Sequence, residues 1–172
     1  MKERACHSLG IETEIKRLTK DTSTTELQQI IKDLNDDQTV DGILLQHPVP
    51  KQIDEIKCFN TICIEKDVDG VTTEGFGNMA MGLNAFGSCT PLGIMRILDH
   101  YKINLEGMNA LVIGRSQILG KPMAAMLLNA NATVTIAHSK TKNLKNSLKE
   151  FDLVVVAVGV PKFVSANDLK EG

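Results

Sequence analysis

The sequence predicts an α/β protein with a parallel sheet, and two observations carry that expectation. Beyond Asn109 three continuous apolar runs, ALVI at 110–113, TVTIA at 133–137 and LVVVAV at 153–158, alternate with segments of helical spacing. That is the pattern of parallel strands buried on both faces and joined by crossover helices. The first run then enters Gly114-Arg115-Ser116 and Gly120-Lys121-Pro122, a glycine-bearing turn between strand and helix. Together these mark the first half of a doubly wound sheet. At 172 residues, 42% hydrophobic and 23% charged, the chain holds one full domain or two small ones. The shift in pattern near Ser88 divides it into 1–88 and 89–172.

The N-terminal half reads as helices separated by short extended segments. Lys2 to Leu9 is the tail of a helix stopped by Gly10 at C′, and Ile11 to Leu18 alternates loosely enough to predict a short strand. Ser23-Thr24-Thr25-Glu26 is a capping box ahead of Leu27, Ile30, Ile31 and Leu34 at helical spacing. Gly42 to Leu45 reads as a short buried strand ended by Gln46-His47-Pro48-Val49-Pro50, whose prolines cannot continue a ladder. Gln52 to Thr61 predicts a short helix, and Glu65-Lys66-Asp67-Val68-Asp69-Gly70 a charged turn in which either Asp67 or Asp69 can build the bend. Thr90-Pro91 supplies an N-cap and an N1 proline for a helix carrying Ile94, Met95, Ile97, Leu98 and Tyr101.

The turn after 110–113 has the chemistry of a dinucleotide site. Backbone N–H groups and a helix N-terminus meet a pyrophosphate there, and a Cβ would block the approach. The glycines fall at offsets 0 and 6 with Ser116 at offset 2, so the turn is expected to be longer than in GxGxxG. An Asp or Glu about 20 residues further on would accept from the ribose hydroxyls of NAD. None is present: the second strand runs into His138, Ser139 and Lys140. With Arg115 in the first turn, the local groups are donors and cations suited to a 2′-phosphate. The expected cofactor is NADP, held by Gly114, Arg115, Ser116, Gly120, His138 and Ser139.

Other function classes are disfavoured by composition. A net charge of −2, 3% aromatic residues and no Trp offer neither a basic footprint nor stacking platforms for nucleic acid. No apolar run approaches the length of a membrane span, and MKERACHSLG lacks the pattern of a secretion signal, so a cytoplasmic location is expected. Cys6, Cys58, Cys63 and Cys89 are scattered, and His7, His47, His100 and His138 lack ligand spacing, so reduced thiols and no metal site are expected.

Taken in order, Gln46-His47-Pro48-Val49-Pro50, Glu65 to Gly70, Cys89-Thr90-Pro91, Gly114 to Pro122 and His138-Ser139-Lys140-Thr141 resemble the bifunctional methylenetetrahydrofolate dehydrogenase/methenyltetrahydrofolate cyclohydrolase family over essentially the whole chain. The resemblance implies two α/β domains, an N-terminal folate-binding catalytic domain and a C-terminal Rossmann-like NADP-binding domain. It also implies a cleft for a small-molecule folate between them, and a homodimer formed through the cofactor domain. It puts Lys2 in the place of the family's catalytic lysine, Gln46 in that of the glutamine that positions it, and Asp69 in that of the carboxylate that grips the pterin. Arg115 and Ser139 fall where the family holds the 2′-phosphate. Ser88 stands where a proline is often found. The tyrosine of the family's Tyr-x-x-x-Lys motif would fall ahead of Met1, and the later Pro-Gly-Gly-Val-Gly-Pro segment has no counterpart before Gly172. The expectation is therefore a chain truncated at both ends and weakly active on its own.

These residue types fit the chemistry independently. A lysine relays a proton when its surroundings lower its pKa, and an uncharged glutamine orients it without fixing its charge. A carboxylate accepts two hydrogen bonds from a donor-rich ring edge. The leading expectation is NADP-dependent oxidation of methylene-tetrahydrofolate to the methenyl form, then hydrolysis to formyl-tetrahydrofolate. The alternative is a non-catalytic family fragment that folds in part and binds dinucleotide or a partner. A short-chain reductase would need Tyr-x-x-x-Lys after the first βαβ unit, whereas Tyr101 precedes it and is followed four residues later by Leu105.

Overall fold

The computed structural model describes residues 2–171. In the first half, α1 (Lys2–Ser8) ends as its glycine predicts. Gly10 has φ +73°, its N–H donates to His7 O at 3.1 Å, and Ile11 N–H reaches back to Cys6 O at 2.9 Å, the paired bonds of a Schellman motif. Helix α2 (Thr24–Asp36) carries the predicted capping box, with Ser23 Oγ accepting from Glu26 N and Glu26 accepting from Ser23 N. Its apolar face buries Leu27 and Ile31 against Ile43, Cys58 and Ile62. The predicted helix over 52–61 contracts to α3 (Glu55–Phe59), because Asp54 takes the N-cap and accepts from Lys57 N. Helix α4 (Thr73–Ala80) follows, capped by Thr72.

Two expected strands in this half are not formed. Residues 11–19 run as coil, with Ile11, Ile15 and Leu18 exposed. Alternation makes a strand only where backbone groups meet a neighbouring ladder, and none among the described residues lies alongside. Gly42–Leu45 makes one parallel bridge, Ile43 to Asp67. Ile43 is buried but Leu44 is exposed, so a single contact replaces a ladder.

The second half is a three-stranded parallel sheet with apolar cores on both faces of its middle strand. Helix α5 (Cys89–His100), β1 (Asn109–Ile113), α6 (Gly120–Asn129), β2 (Thr133–Ala137), α7 (Leu144–Ser147) and β3 (Leu153–Val156) follow in chain order. The three strands are parallel in the order β2-β1-β3. Ala110 and Val112 face Leu98, Met123, Leu127 and Val155, while Leu111 and Ile113 face Leu148, Phe151 and Val154. Period-two alternation thus feeds two cores on opposite faces of one strand. Burial on both faces holds for β1 alone. As edge strands β2 and β3 keep Ile136 and Val156 exposed, a correction to the expectation that all three are covered.

Helix α5 begins two residues earlier than Thr90-Pro91 suggests. Ser88 is the N-cap by position, without a side-chain cap bond, and Pro91 falls in the first turn, where a missing N–H breaks no intrahelical bond. Ser88 Oγ instead donates to Ile118 O at 2.5 Å. Helix α4 packs on α6, and Asn129 Nδ2 donates to Met79 O at 2.8 Å.

Candidate functional site

The charged turn before α4 divides its work residue by residue. Lys66 Nζ donates to Leu34 O, Asn35 O and Asp37 O at 3.0, 2.7 and 2.8 Å, closing the C-terminal carbonyls of α2. Asp67 is 1% exposed and accepts from Val71 N and Thr72 N at 3.0 and 2.9 Å. The two readings left open by the sequence are therefore separated: Asp67 builds the bend. Gly70 has φ +62°, and a Cβ there would lie 2.5 Å from the Gly87 carbonyl carbon, so glycine lets the turn lie against the entry to α5. That approach brings Asp69 to Cys89, whose Sγ donates to Val68 O at 3.5 Å. Burial, then the hydrogen bond and charge of Asp69, push the Cys89 thiol up to about 11, with Lys2 acting in the opposite sense.

Lys2, from α1, reaches the same place. Its Nζ donates to Gln46 Oε1 at 3.2 Å across 44 residues of sequence. The Gln46 amide is oriented from its other side, because Nε2 donates to His47 O at 2.8 Å. A cation, a neutral acceptor, a carboxylate and a thiol are thus gathered from α1, the 46–50 loop, the turn at 69 and the start of α5. Of the residues expected from sequence, the structure joins Lys2 to Gln46 and sets Asp69 beside Cys89. No spacing rule gives a signal for Cys89, since only the close approach at Gly70 brings the thiol in. The depression of about 450 Å³ lined by Ile64, Glu65, Glu74, Asn78, Asn84, Ala85 and Phe86 contains none of the four.

The second group stands at the C-terminal edge of the sheet. Gly114, φ +127°, places its Cα hydrogen where a Cβ would strike the Ala157 carbonyl, and a Cβ on Gly120 would strike the Gly114 carbonyl. Both glycines are therefore required for the start of α6 to press against the end of β1. Ser116 is used locally: its Oγ accepts from Gly120 N at 3.2 Å and its carbonyl from Lys121 N at 3.0 Å, so its oxygen satisfies one of the helix's first N–H groups. Ile113 pairs with Ala137 in the ladder, which sets Arg115 and Ser139 at equivalent positions beyond adjacent strand ends, both exposed. His138 Nδ1 accepts from Lys140 N at 3.1 Å and His138 N donates to Thr141 Oγ1 at 2.9 Å. A neutral ring accepting at Nδ1 carries its proton on Nε2. The glycine cradle, the N-terminus of α6 and the donors at two strand ends fit a phosphorylated dinucleotide.

Comparison with known proteins places the chain among characterised relatives. Residues 1–69 match the tetrahydrofolate dehydrogenase/cyclohydrolase catalytic domain, and residues 88–172 match the NAD(P)-binding domain of the same family. The bifunctional protein FolD of Alcanivorax borkumensis is 56% identical over 172 residues, covering 100% of this chain and 61% of that protein. The crystal structure of the bifunctional FolD of Campylobacter jejuni superposes with a TM-score of 0.97 at 42% identity, over 99% of this chain and 61% of that one. The Trypanosoma brucei dehydrogenase-cyclohydrolase, complexed with NADP cofactor and inhibitor, gives a TM-score of 0.93 at 28% identity over 99% of this chain and 59% of that one. The chain thus spans about three fifths of the length of the relatives it matches. With both domain descriptions matched in order along the sequence and the fold reproduced, the chain belongs to the tetrahydrofolate dehydrogenase/cyclohydrolase family.

Proposed function

We propose that the protein carrying this chain oxidises methylene-tetrahydrofolate to methenyl-tetrahydrofolate with NADP and hydrolyses the product to formyl-tetrahydrofolate. The observation that carries this reading is the Lys2 Nζ to Gln46 Oε1 hydrogen bond of 3.2 Å. It holds a proton-bearing amine against a neutral acceptor. An uncharged acceptor orients the amine without the ion pair that a carboxylate partner would make. Lys2 holds or relays the proton beside the reacting nitrogen or the attacking water. Asp69 accepts from the donor edge of the pterin, and the Cys89 thiol beside it stays protonated and neutral at physiological pH. When bound, NADP supplies the hydride acceptor. Gly114 and Gly120 allow its pyrophosphate to approach the N-terminus of α6, and Arg115, Ser139 and the His138 Nε2–H supply donors toward the 2′-phosphate.

The division of labour falls near Ser88, with 1–88 as the folate half and 89–172 as the dinucleotide half. The four cysteines are unpaired thiols, which supports a reducing cytoplasm, and no helix among the described residues is long and apolar enough to cross a membrane. A second copy of the chain is the proposed partner. Exposed Leu128 and Ile136, beside Phe76 in a shallow apolar groove, support association through the dinucleotide half. The experiment is to follow reduced nicotinamide with methylene-tetrahydrofolate in wild type and Lys2→Met. The expected outcome is loss of turnover by about a hundredfold with NADP affinity unchanged. Equal turnover would overturn the role of Lys2. Dinucleotide binding without turnover in wild type would return the non-catalytic reading.

A further inference from the structure

We infer that Glu55 is a positioning residue, which holds the 46–50 loop so that the Gln46 amide presents its oxygen to Lys2. The inference rests on the reading of Lys2 and Gln46 given above. The Glu55 carboxylate grips the loop at two points. Oε1 accepts from His47 Nδ1 at 2.7 Å and from Val49 N at 3.1 Å. A carboxylate only accepts, so the ring nitrogen donates. Between these two points lies the His47 carbonyl, the acceptor for Gln46 Nε2 at 2.8 Å. An amide has one oxygen and one NH₂ end, so occupying the nitrogen with the His47 carbonyl turns the oxygen toward Lys2 Nζ. The order of contacts is Glu55 to His47 and Val49, the loop to the Gln46 amide, and Gln46 to Lys2.

The base that Glu55 stands on is rigid. It opens α3, where Asp54 caps the helix and donates its own N–H to Thr24 Oγ1 at 2.9 Å. Cys58 in the same helix is wholly buried against α2. Gln52 Nε2 adds a bond to Lys20 O at 2.6 Å. A loop with two prolines and no ladder partner is thus tied to a packed helix pair. The His47 and Glu55 side chains are 42% and 25% exposed. A pair this open to water contributes little to stability, so its consequence is geometric.

The test uses the ¹⁵N-labelled protein with Glu55→Ala and Glu55→Gln, reading the side-chain NH₂ resonances of Gln46, identified by their loss in Gln46→Ala. In Glu55→Ala the Gln46 pair is expected to move toward the averaged position of a solvent-exposed amide, with the thermal melt unchanged. Turnover is expected to fall about tenfold in kcat with KM for the folate held, short of the hundredfold that a 1 Å misplacement can cost. Glu55→Gln keeps an acceptor oxygen for the loop and is expected to restore both the resonances and most of kcat. Unmoved Gln46 resonances in Glu55→Ala, or a kcat within about twofold of wild type, would overturn the inference. Full turnover in Lys2→Met would instead overturn the reading of the site on which it rests, and the two failures are separately visible.

Discussion

Asp67 and Asp69 are two residues apart and chemically identical, yet the fold uses them differently. Asp67 is buried and accepts from two backbone N–H groups. Asn in its place offers one acceptor and turns an NH₂ toward the other donor. Hydrogen bonds to a charged acceptor are worth about 1.5–3 kcal/mol, and a buried donor left unpaired costs a comparable amount. Asp67→Asn is therefore expected to lower the unfolding free energy by about 2 kcal/mol or more in urea titration. Asp69→Asn, at a half-buried side chain whose replacement keeps an acceptor oxygen for the Cys89 thiol, should stay within about 0.5 kcal/mol of wild type. The Cys89 thiol, raised to about 11, gives a second expectation at this scale. Its proton leaves only as pH climbs through the raised value, so at pH 8 about a thousandth is thiolate and alkylation by iodoacetamide should be slow although Cys89 as a whole residue is exposed. Asp69→Asn removes the charge that opposes the thiolate and should speed the reaction. An unchanged rate would mean that burial alone sets it.

The element that the sequence declares most completely is α2, because its start, its apolar stripe and its capping box are all local features. Ser23→Ala is expected to cost about 1 kcal/mol, the usual worth of an N-cap hydroxyl. Hydrogen bonds from the Ser23 backbone and hydroxyl hold the Glu26 carboxyl below its ordinary value of 4.5. A carboxyl lowered in the folded state stabilises above the unfolded pKa, and the gain disappears as pH falls through the folded one. The urea midpoint should therefore drop on acidification below about pH 4.5, and drop less in Glu26→Gln, whose neutral amide does not titrate. Strands were less legible than helices. Ile11 to Leu18 and Gly42 to Leu45 have the right residues, but a strand is defined by its neighbours, and apolar alternation does not say whether a ladder is present. For the same reason ALVI, TVTIA and LVVV looked alike in sequence, although their places in the order β2-β1-β3 leave only the middle one covered on both faces. The N-cap at Ser88 was hidden because its hydroxyl bonds to Ile118 O, a partner 30 residues away that no local motif reveals.

Across the whole molecule the two groups of polar residues rest on different supports. Asp69 depends on the turn that Lys66, Asp67 and Gly70 build against α5. Arg115 and Ser139 depend on the β1–β2 register, which Asp69 does not touch. The glycine turn and the two strand ends could be read from sequence because a βα turn is local. That Lys2 reaches Gln46 could be read only through resemblance, because a contact across 44 residues follows from no spacing rule. Independent supports make independent loss the expected result. Asp69→Ala should abolish folate binding in calorimetry while leaving NADP affinity and the thermal melt nearly unchanged. Arg115→Ala should do the converse, weakening NADP by the worth of a charge-assisted bond, about 1.5–3 kcal/mol before desolvation, and leaving NAD, which has no 2′-phosphate, nearly untouched. Each kcal/mol is visible as a fold-change in Kd, since 1.4 kcal/mol is about tenfold. Equal affinities for NAD and NADP in wild type would show that Arg115 and Ser139 are solvated loop residues. If Asp69→Ala lost both ligands and the melt together, the turn would be structural throughout and the carboxylate at 69 would share the task of the one at 67.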